Sequence, residues 1–526
     1  MRILYKIANK LFRIVKKILK LLTSRMVIIG VALLLEFCWL AGIMMQLNEK
    51  SVYINYAVTI LSLIAVLSII NNPKMNPGYK LMWAVCILAL PVTGICLYGI
   101  LGHSSVARKF RTHYDTVLLS QGGVLGEEEE TRKKLEEENI LAAGQSSYLT
   151  NYAHYPVYVN TETEYYPLGD VWFEHFIEEL KKAEHYIFME YFIISEGYLW
   201  DTVLEILKEK AAAGVDVRVI YDDFGCVTTL PYQYYKSLQQ MGIKCAAFNQ
   251  FRPVLNVILN NRDHRKIAVI DGHTAFTGGI NLADEYINRK ERFGHWKDSG
   301  ICLHGEAVWS FTVMFLQMWS TITGMECNFE SYRPEIYHEE AFKKDGFVQP
   351  YGDSPLDGET VGEHVYLNII SQAKKYLYIF TPYLIPDNET LTALCMAAKR
   401  GVDVRIVTPG IPDKKIVYIL TQANYEILLD SGVQIYQYTP GFIHSKSFVC
   451  DDEVATVGTI NMDYRSMYLH FECGVWMYGS SAVAQVKEDA LTTFEQCEQI
   501  NMDYCRKKNF AVRALRGALK FLAPLL

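Results

Sequence analysis

The residues HRKIAVID at positions 264–271 recur as HSKSFVCD at positions 444–451, and this pair of segments is the strongest indication of the fold. Both follow the pattern His-x-Lys-x4-Asp, and their histidines lie 180 residues apart. With 13 histidines in 526 residues, we expect roughly 0.14 matches to this pattern by chance. Two matches therefore indicate a duplicated segment of chain.

Neighbouring segments are duplicated in the same order. The first copy contains YIFMEYFI (186–193), GVDVRVIYD (214–222) and GGIN (278–281), and the second contains YIFTPYLI (378–385), GVDVRIVTP (401–409) and GTIN (458–461). A repeat of this length indicates a duplicated domain, because it is too long for a solenoid. Short β-branched and aromatic runs alternate with helical stretches in each copy, which predicts two similar α/β sheets covered by helices. We expect a pseudo-two-fold axis between them and a site where they meet.

Each motif places a histidine and a lysine two residues apart, so that both side chains point to the same face of a strand. The candidate catalytic residues are His264, Lys266, Asp271, His444, Lys446 and Asp451. The aspartates lie at an odd offset from the histidines, and Asp271-Gly272 is typical of a hairpin turn. Each aspartate is expected either to orient a histidine or to bind the backbone of its own turn.

Two histidines that converge on one pocket suit a double displacement at phosphorus. One imidazole attacks and forms a phosphohistidine, while the other protonates the departing alkoxide and then takes a proton from the incoming alcohol. The lysines offset phosphate charge, and Asn281 and Asn461, each seventeen residues after its histidine, are predicted to bind substrate as neutral donors. The alternatives are structural core histidines and a metal site, which the lysine beside each histidine opposes. We expect no metal and no cofactor.

The composition excludes several classes of protein. Half of the residues are hydrophobic and 21% are charged, which supports a large core and excludes a disordered chain. The net charge of −7 argues against a general nucleic-acid-binding surface. The twelve cysteines include no CxxC pair, so neither a zinc ribbon nor a disulfide scaffold fits.

The first hundred residues predict attachment to a membrane. Residues 1–25 carry eight basic and no acidic side chains among apolar ones, as in an amphipathic helix on anionic lipid. Apolar runs follow at 26–47, 52–70 and 81–101, and each approaches the ~20 residues needed to cross hydrocarbon. Glu36 lies inside the first run, and one run is alternatively a buried helix of a soluble domain. We predict a multi-pass protein of the cell membrane.

The side of the membrane that holds the body stays open. Three spans and a basic N-terminus place the body outside, whereas nine downstream cysteines favour a reducing compartment. Two spans with one re-entrant segment put both ends in the cytoplasm.

The chain divides into six predicted segments. They are an amphipathic helix (1–25), a transmembrane region (26–103), a linker with an acidic helix (104–150), the two repeats (151–335 and 336–505), and a basic amphipathic tail (506–526). The tail is expected to contact the bilayer surface.

The duplicated motif resembles that of the phospholipase D superfamily, and further segments are similar to those of bacterial cardiolipin synthases. These segments are HWKDSG (295–300), TPYLIPD (381–387), GTINMDYRS (458–466), LAPLL (522–526), Pro91 with Gly94, and Glu472. The resemblance implies two phospholipase D-like α/β/α sandwich domains that follow N-terminal transmembrane helices. The chain departs from the family at Thr459, where serine is common, and in having a third apolar run instead of two spans.

The resemblance also implies an activity, which is phosphatidyl transfer between two phosphatidylglycerol molecules to yield cardiolipin and glycerol. By the same resemblance, His264 is the nucleophile and His444 the acid and base. Phospholipids and the lipid bilayer are the implied partners, nucleic acid is not, and the oligomeric state stays open. The alternatives are a phospholipase D or phosphatidylserine synthase on the same scaffold and, in another class, a non-enzymatic membrane scaffold.

Overall fold

The computed structural model describes residues 30–31, 33–38, 41, 50–73, 75–102, 105–120, 123–126, 128–250, 261–338, 341–506 and 510–525. The chain divides into two compact units. The first comprises Met1–Lys109 and Arg252–Leu259, and the second comprises Phe110–Phe251 and Asn260–Leu526.

The described part of the first unit is helical. Its helices after residue 41 are α1 (Lys50–Ile70), α2 (Pro77–Ala89) and α3 (Pro91–Leu101). In the described part of the chain, Val52–Ile70 is the one stretch of helix that is long and apolar enough to cross a membrane. It coincides with the predicted run at 52–70 and fits a membrane protein.

The apolar run predicted at 81–101 is not one continuous helix, because the chain breaks between α2 and α3. Pro91 has no N–H to continue the first helix, and it begins the second as the N1 residue. The two short helices pack closely, with the rings of Trp83 and Tyr98 5.3 Å apart. A Cβ at Gly94 would lie 2.6 Å from the carbonyl oxygen of Cys86, so this approach requires glycine. The multi-pass prediction therefore has no support from this run.

Two other N-terminal predictions fall largely outside the described residues. These are the amphipathic helix at 1–25 and most of the apolar run at 26–47. Glu36 is described and buried, and its Oε2 accepts a hydrogen bond of 2.7 Å from the backbone N–H of Thr93. This N–H lies in the first turn of α3, where backbone donors lack partners within the helix. One carboxylate oxygen of this acidic residue is thus hydrogen-bonded inside the first unit, while Oε1 has no hydrogen-bond partner among the described residues.

The second unit contains two large sheets. The strands of the first are β1 (Thr161–Tyr166), β2 (Tyr186–Tyr191), β3 (Asp216–Asp222), β4 (Lys244–Phe248), β6 (Lys266–Ile270), β7 (Thr274–Gly278) and β9 (Gly300–Gly305). The strands of the second are β10 (Phe347–Asp353), β11 (Tyr376–Phe380), β13 (Asp403–Pro409), β14 (Gln434–Tyr438), β16 (Ser447–Cys450), β17 (Val454–Gly458), β19 (His470–Tyr478) and β20 (Cys497–Ile500).

The strand orders of the two sheets correspond. The first is β1-β9-β7-β6-β2-β3-β4, and the second is β10-β19-β17-β16-β11-β13-β14 with β20 added at its edge. In both sheets the three strands that begin with β2 or β11 are parallel. The remaining pairs on these paths are antiparallel. The prediction of a duplicated α/β fold is confirmed.

Helices cover the sheets and connect the strands. Those of the linker and first repeat are α4 (Ser105–Ser120), α5 (Glu129–Glu138), α6 (Ile140–Tyr148), α7 (Gly169–Lys182), α8 (Tyr198–Ala212), α9 (Tyr234–Gln240), α10 (Val308–Thr323) and α11 (Pro334–Tyr337). Those that follow are α12 (Val361–Gln372), α13 (Asn388–Lys399), α14 (Lys415–Asp430), α15 (Tyr464–Tyr468), α16 (Ser481–Phe494), α17 (Met502–Arg506) and α18 (Phe510–Leu522).

The two repeats are joined into one body through shared helices and strand pairs. Helix α10 packs on β2, β4 and β6 and reaches β10 of the other sheet, while α16 packs on β11, β16 and β17 and reaches β1. Two short strands of the first repeat, β5 (Arg262–Asp263) and β8 (His295–Lys297), pair with β19 and with β15 (Gly441–Ile443) of the second. A further short pair joins β12 (Leu384–Ile385) to β18 (Met462–Asp463).

The C-terminal tail forms a helix, and part of it faces the body. Arg516 is buried and donates a hydrogen bond of 2.9 Å to Gln422 of α14. Leu519 packs near Ile385 and Leu420. The sequence assigned Arg516 and Leu519 to the bilayer surface, and the structure instead turns both toward the second repeat. Bilayer contact by the rest of the tail stays a prediction.

Candidate active site

Each motif histidine lies between two strands and is fixed by the other repeat. His264 follows β5, and its backbone N–H donates to the carbonyl of Phe471 on β19 at 2.9 Å. His444 follows β15, and its N–H donates to the carbonyl of Lys297 on β8 at 2.7 Å. The strand pairs that join the repeats therefore also position the two histidines.

A buried carboxylate from the opposite repeat orients each imidazole. Nδ1 of His264 lies 2.9 Å from both carboxylate oxygens of Glu472, and Nδ1 of His444 lies 2.6 Å from Oδ2 of Asp298. A carboxylate can only accept, so each Nδ1–H donates and each Nε2 keeps a lone pair. Glu472 also accepts from the hydroxyls of Thr459 and Ser466 at 2.5 and 2.7 Å. The hydroxyl retained at Thr459, where the chain departs from the family, thus belongs to this network.

The surroundings keep both imidazoles neutral and both carboxylates charged. Burial lowers the pKa of His264 to about 3 and that of His444 to about 4, and the neighbouring lysines act in the same direction. Burial alone would raise the pKa of Glu472 and of Asp298. The adjacent histidines outweigh it and hold the pKa of both carboxyls below its usual range. The free site thus presents two nucleophilic nitrogens.

Two buried lysines belong to the same site. The Nζ of Lys266 donates to the carbonyl of His264 at 2.6 Å, and that of Lys446 donates to the carbonyl of His444 and lies 2.9 Å from its Nδ1. Burial lowers the pKa of Lys266 to about 8 and that of Lys446 to about 7. Both lysines interact electrostatically with His444, and Lys266 also interacts with Lys446. An anionic phosphate at this position would stabilise both ammonium groups.

The motif aspartates form backbone contacts and do not orient the histidines. Asp271 accepts from the backbone N–H groups of residues 184–186 at 2.7–2.8 Å. Asp451 accepts from those of residues 374–376 at the same distances. Both aspartates have positive φ, 49° and 56°, at the turns that end β6 and β16. Among the described hydrogen bonds, neither carboxylate reaches an imidazole or its own turn. Both expected contacts for them are wrong, because each carboxylate instead binds backbone N–H groups of a neighbouring segment. A catalytic role for Asp271 and Asp451 stays a prediction.

The two predicted substrate-binding asparagines differ in their surroundings. Asn281 accepts from the N–H of Ile193 at 2.9 Å and donates to the hydroxyl of Tyr286 at 2.8 Å. The Tyr286 ring lies 5.5 Å from that of His444. Asn461 is buried, and its Oδ1 has no hydrogen-bond partner in the described part of the chain. Substrate binding by either residue stays a prediction.

Sequence reasoning left two functional residues unassigned. The sequence analysis names Asp298 only as part of HWKDSG and Glu472 only as a family-like residue, and it assigns a site role to neither. Asp298 follows β8 and Glu472 lies on β19, and each of these strands pairs with the opposite repeat. The role of Asp298 depends on a contact with His444, 146 residues away, and that of Glu472 on a contact with His264, 208 residues away. The signal available in the sequence was an acid about thirty residues after each motif histidine.

Comparisons with known proteins agree with this geometry. A family model described as "Cardiolipin synthase, PLD-like domain" matches residues 176–319 and 366–493, and one described as "Phospholipase D-nuclease N-terminal" matches residues 60–103. A cardiolipin synthase of Alkalihalophilus pseudofirmus is 34% identical over 472 residues, which cover 89% of this chain and 92% of that protein. An uncharacterised protein of Streptococcus mutans serotype c is 43% identical over 475 residues, or 88% of this chain and 99% of that one.

A solved structure supports the fold. The phosphatidylserine synthase of Haemophilus influenzae aligns with a TM-score of 0.55 at 16% identity, over 73% of this chain and all of that one. Together the fold and the matches define a phosphatidyltransferase of the phospholipase D superfamily. Within that superfamily, the chain belongs to the bacterial cardiolipin synthases.

Proposed function

We propose that the chain condenses two phosphatidylglycerol molecules into cardiolipin and glycerol through a phosphohistidine intermediate. The observation that carries the proposal is the pair of neutral imidazoles, each held by a carboxylate of the other repeat. With two buried lysines, this arrangement supplies a nucleophile, a proton carrier and positive charge for a phosphodiester.

In the first half-reaction, Nε2 of His264 attacks phosphorus, and the bond between phosphorus and the oxygen of the departing glycerol breaks. His444 gives its proton to that oxygen. Without substrate, the pKa of His444 is too low for the ring to carry the proton that it donates. Bound substrate must therefore stabilise the protonated form of His444. A phosphate anion between the two imidazoles favours the imidazolium form.

In the second half-reaction, a headgroup hydroxyl of another phosphatidylglycerol attacks phosphorus. His444 takes the hydroxyl proton, the bond between phosphorus and Nε2 breaks, and His264 is regenerated. The Lys266 and Lys446 ammonium groups stabilise the charge on the non-bridging oxygens in both steps. The phosphatidyl group stays covalently bound between the steps, so a lipid alcohol can compete with water in a sheltered site.

The test is turnover of phosphatidylglycerol vesicles by the purified full-length protein. We expect equal amounts of cardiolipin and glycerol from the wild type and none from His264→Ala or His444→Ala. His175→Ala, at an exposed position of α7, is the matched control and retains activity. Phosphatidic acid without cardiolipin would instead identify a phospholipase D. Formation of phosphatidylserine after serine is added would identify a phosphatidylserine synthase. The absence of any lipid turnover would favour a membrane scaffold.

The covalent step has its own test. Protein quenched in acid during turnover of phosphatidyl-labelled lipid should carry the label on His264. Label on His444 would reverse the roles of the two histidines, and unlabelled protein under full turnover would contradict the intermediate.

A further inference from the structure

A third imidazole lies beside the nucleophile, and the motif does not contain it. His470 is the first residue of β19, two positions before Glu472 and on the same face of the strand. Its ring centroid is 5.5 Å from that of His264. The His470 side chain is only 10% exposed, and in the described part of the chain neither of its ring nitrogens has a hydrogen-bond partner. An imidazole buried in this way lacks the partner that its burial would normally require.

The free nitrogens of His470 lie near an acceptor that other donors already occupy. The Nδ1 of His470 is 3.6 Å from Oε1 of Glu472, beyond hydrogen-bond distance. That oxygen accepts from His264 and Ser466, and the other carboxylate oxygen accepts from His264 and Thr459. His470 therefore lies beside the charged carboxylate of Glu472 without a hydrogen bond to it.

His264, His470 and Glu472 together form a set of metal-ligand type. One donor atom from each lies within 4.8 Å of the other two. Zinc binds nitrogen and oxygen at ~2.0–2.2 Å in a tetrahedron, which corresponds to ligand separations of about 3.3–3.6 Å. The carboxylate lies 2.9 Å from Nδ1 of His264, which is shorter than that range, and 3.6 Å from Nδ1 of His470, which is at its upper end. Two imidazoles, one carboxylate and an open fourth position are a typical zinc set.

The charges around the set do not exclude a dication. Lysines beside the motif histidines oppose a metal, which was the basis for expecting none. The pocket also contains carboxylates, since Asp463 interacts electrostatically with His470 and Glu472, and Asp298 interacts with both lysines. The Nζ of Lys266 is held at the carbonyl of His264. Three carboxylates therefore offset the ammonium groups of Lys266, Lys446 and Lys414, the last of which interacts with Asp463. The Thr459 and Ser466 hydroxyls hold Glu472 in place as outer-shell partners.

We propose that His264, His470 and Glu472 form an inhibitory binding site for zinc or a similar borderline divalent cation. Binding takes the place of the proton on Nδ1 of His264, and the neutral ring then carries its proton on Nε2. The lone pair that attacks phosphorus is thereby lost, so the bound cation stops turnover. Cation binding itself does not depend on the reaction, whereas the inhibition rests on the proposed function.

The first experiment measures binding without turnover. Purified full-length protein is titrated with Co²⁺, whose visible absorption reports tetrahedral coordination, and Zn²⁺ is then added to displace it. We compare the wild type with His470→Phe, which keeps a ring and removes both nitrogens, and with His470→Asn. His175→Asn is the control. We expect tetrahedral cobalt absorption in the wild type and the control, and binding weaker by about tenfold or more in both His470 variants.

The second experiment measures inhibition of cardiolipin formation by Zn²⁺, with each variant compared with its own metal-free rate. The concentration for half inhibition should rise by about tenfold or more when His470 is replaced. Unchanged cobalt binding in the His470 variants, or no cobalt absorption in the wild type, would overturn the site. Bound cobalt with undiminished turnover would overturn the inhibition. Because the cobalt titration needs no product, a failure of the proposed reaction does not affect its result.

Discussion

Replacing Glu472 by glutamine tests how the second repeat supports the nucleophile of the first. When Nε2 of His264 bonds to phosphorus, its ring acquires positive charge, and Glu472 stabilises that charge across 2.9 Å. The interaction is worth about 6 kcal/mol at an effective dielectric constant of ~20. A neutral amide keeps a hydrogen bond to Nδ1 and loses the charge. We therefore expect a loss of about 3–5 kcal/mol in transition-state stabilisation, or about 10²–10⁴ in kcat.

The assay is the initial rate of cardiolipin formation from phosphatidylglycerol vesicles, with melting temperature measured alongside. Glu363→Gln is the matched control, because Glu363 is also buried and its burial raises the pKa to about 8, so that little charge is lost. Its kcat should stay within about threefold of the wild type. A Glu472→Gln enzyme that keeps more than a tenth of wild-type kcat would refute the assigned role.

Three further predictions follow from the same contacts. Asp298→Asn should lower kcat as Glu472→Gln does, because it removes the matching charge beside His444; a change confined to KM would contradict this. As pH rises, Lys266 loses its ammonium form at about 8 and Lys446 at about 7. We therefore expect kcat/KM to fall between about pH 6 and about pH 9, and a flat pH profile would contradict this expectation. Asp271→Ala leaves three backbone N–H groups without their acceptor and should cost about 3 kcal/mol or more in unfolding free energy, measured by urea denaturation, while the folded protein still turns over. An Asp271→Ala protein with normal stability but no turnover would instead indicate a catalytic role for Asp271.

The sequence was sufficient for the fold because duplication leaves a direct trace. Matching segments in matching order predicted two similar sheets, and the strand orders agree except for the added β20. The expectation that His264 and Lys266 share one strand face is not met, because His264 lies between β5 and β6 and only Lys266 belongs to a strand. What a short motif cannot contain is the partner across the repeats, so the parts played by Glu472 and Asp298 became clear only in the structure.

Two errors have local physical reasons. The expected contacts of Asp271 and Asp451 with a histidine or with their own turn are not formed, because a positive φ at the end of a strand turns each carboxylate toward backbone donors of a neighbouring segment. The apolar run at 81–101 is not one spanning helix because Pro91 interrupts it, and the effect of proline on a helix was available from the sequence. The hydrophobic residues predicted the length of that run, and Pro91 divides it into two helices.

The central claim is that both repeats contribute to one reaction centre. The most direct measurement compares kcat for His264→Ala, His444→Ala and the double variant, each purified at full length and shown to be folded. Residues that act in one centre are strongly non-additive, so we predict that each single variant loses as much activity as the double. Two single variants that each keep about half of the wild-type rate would show two independent sites and contradict the account.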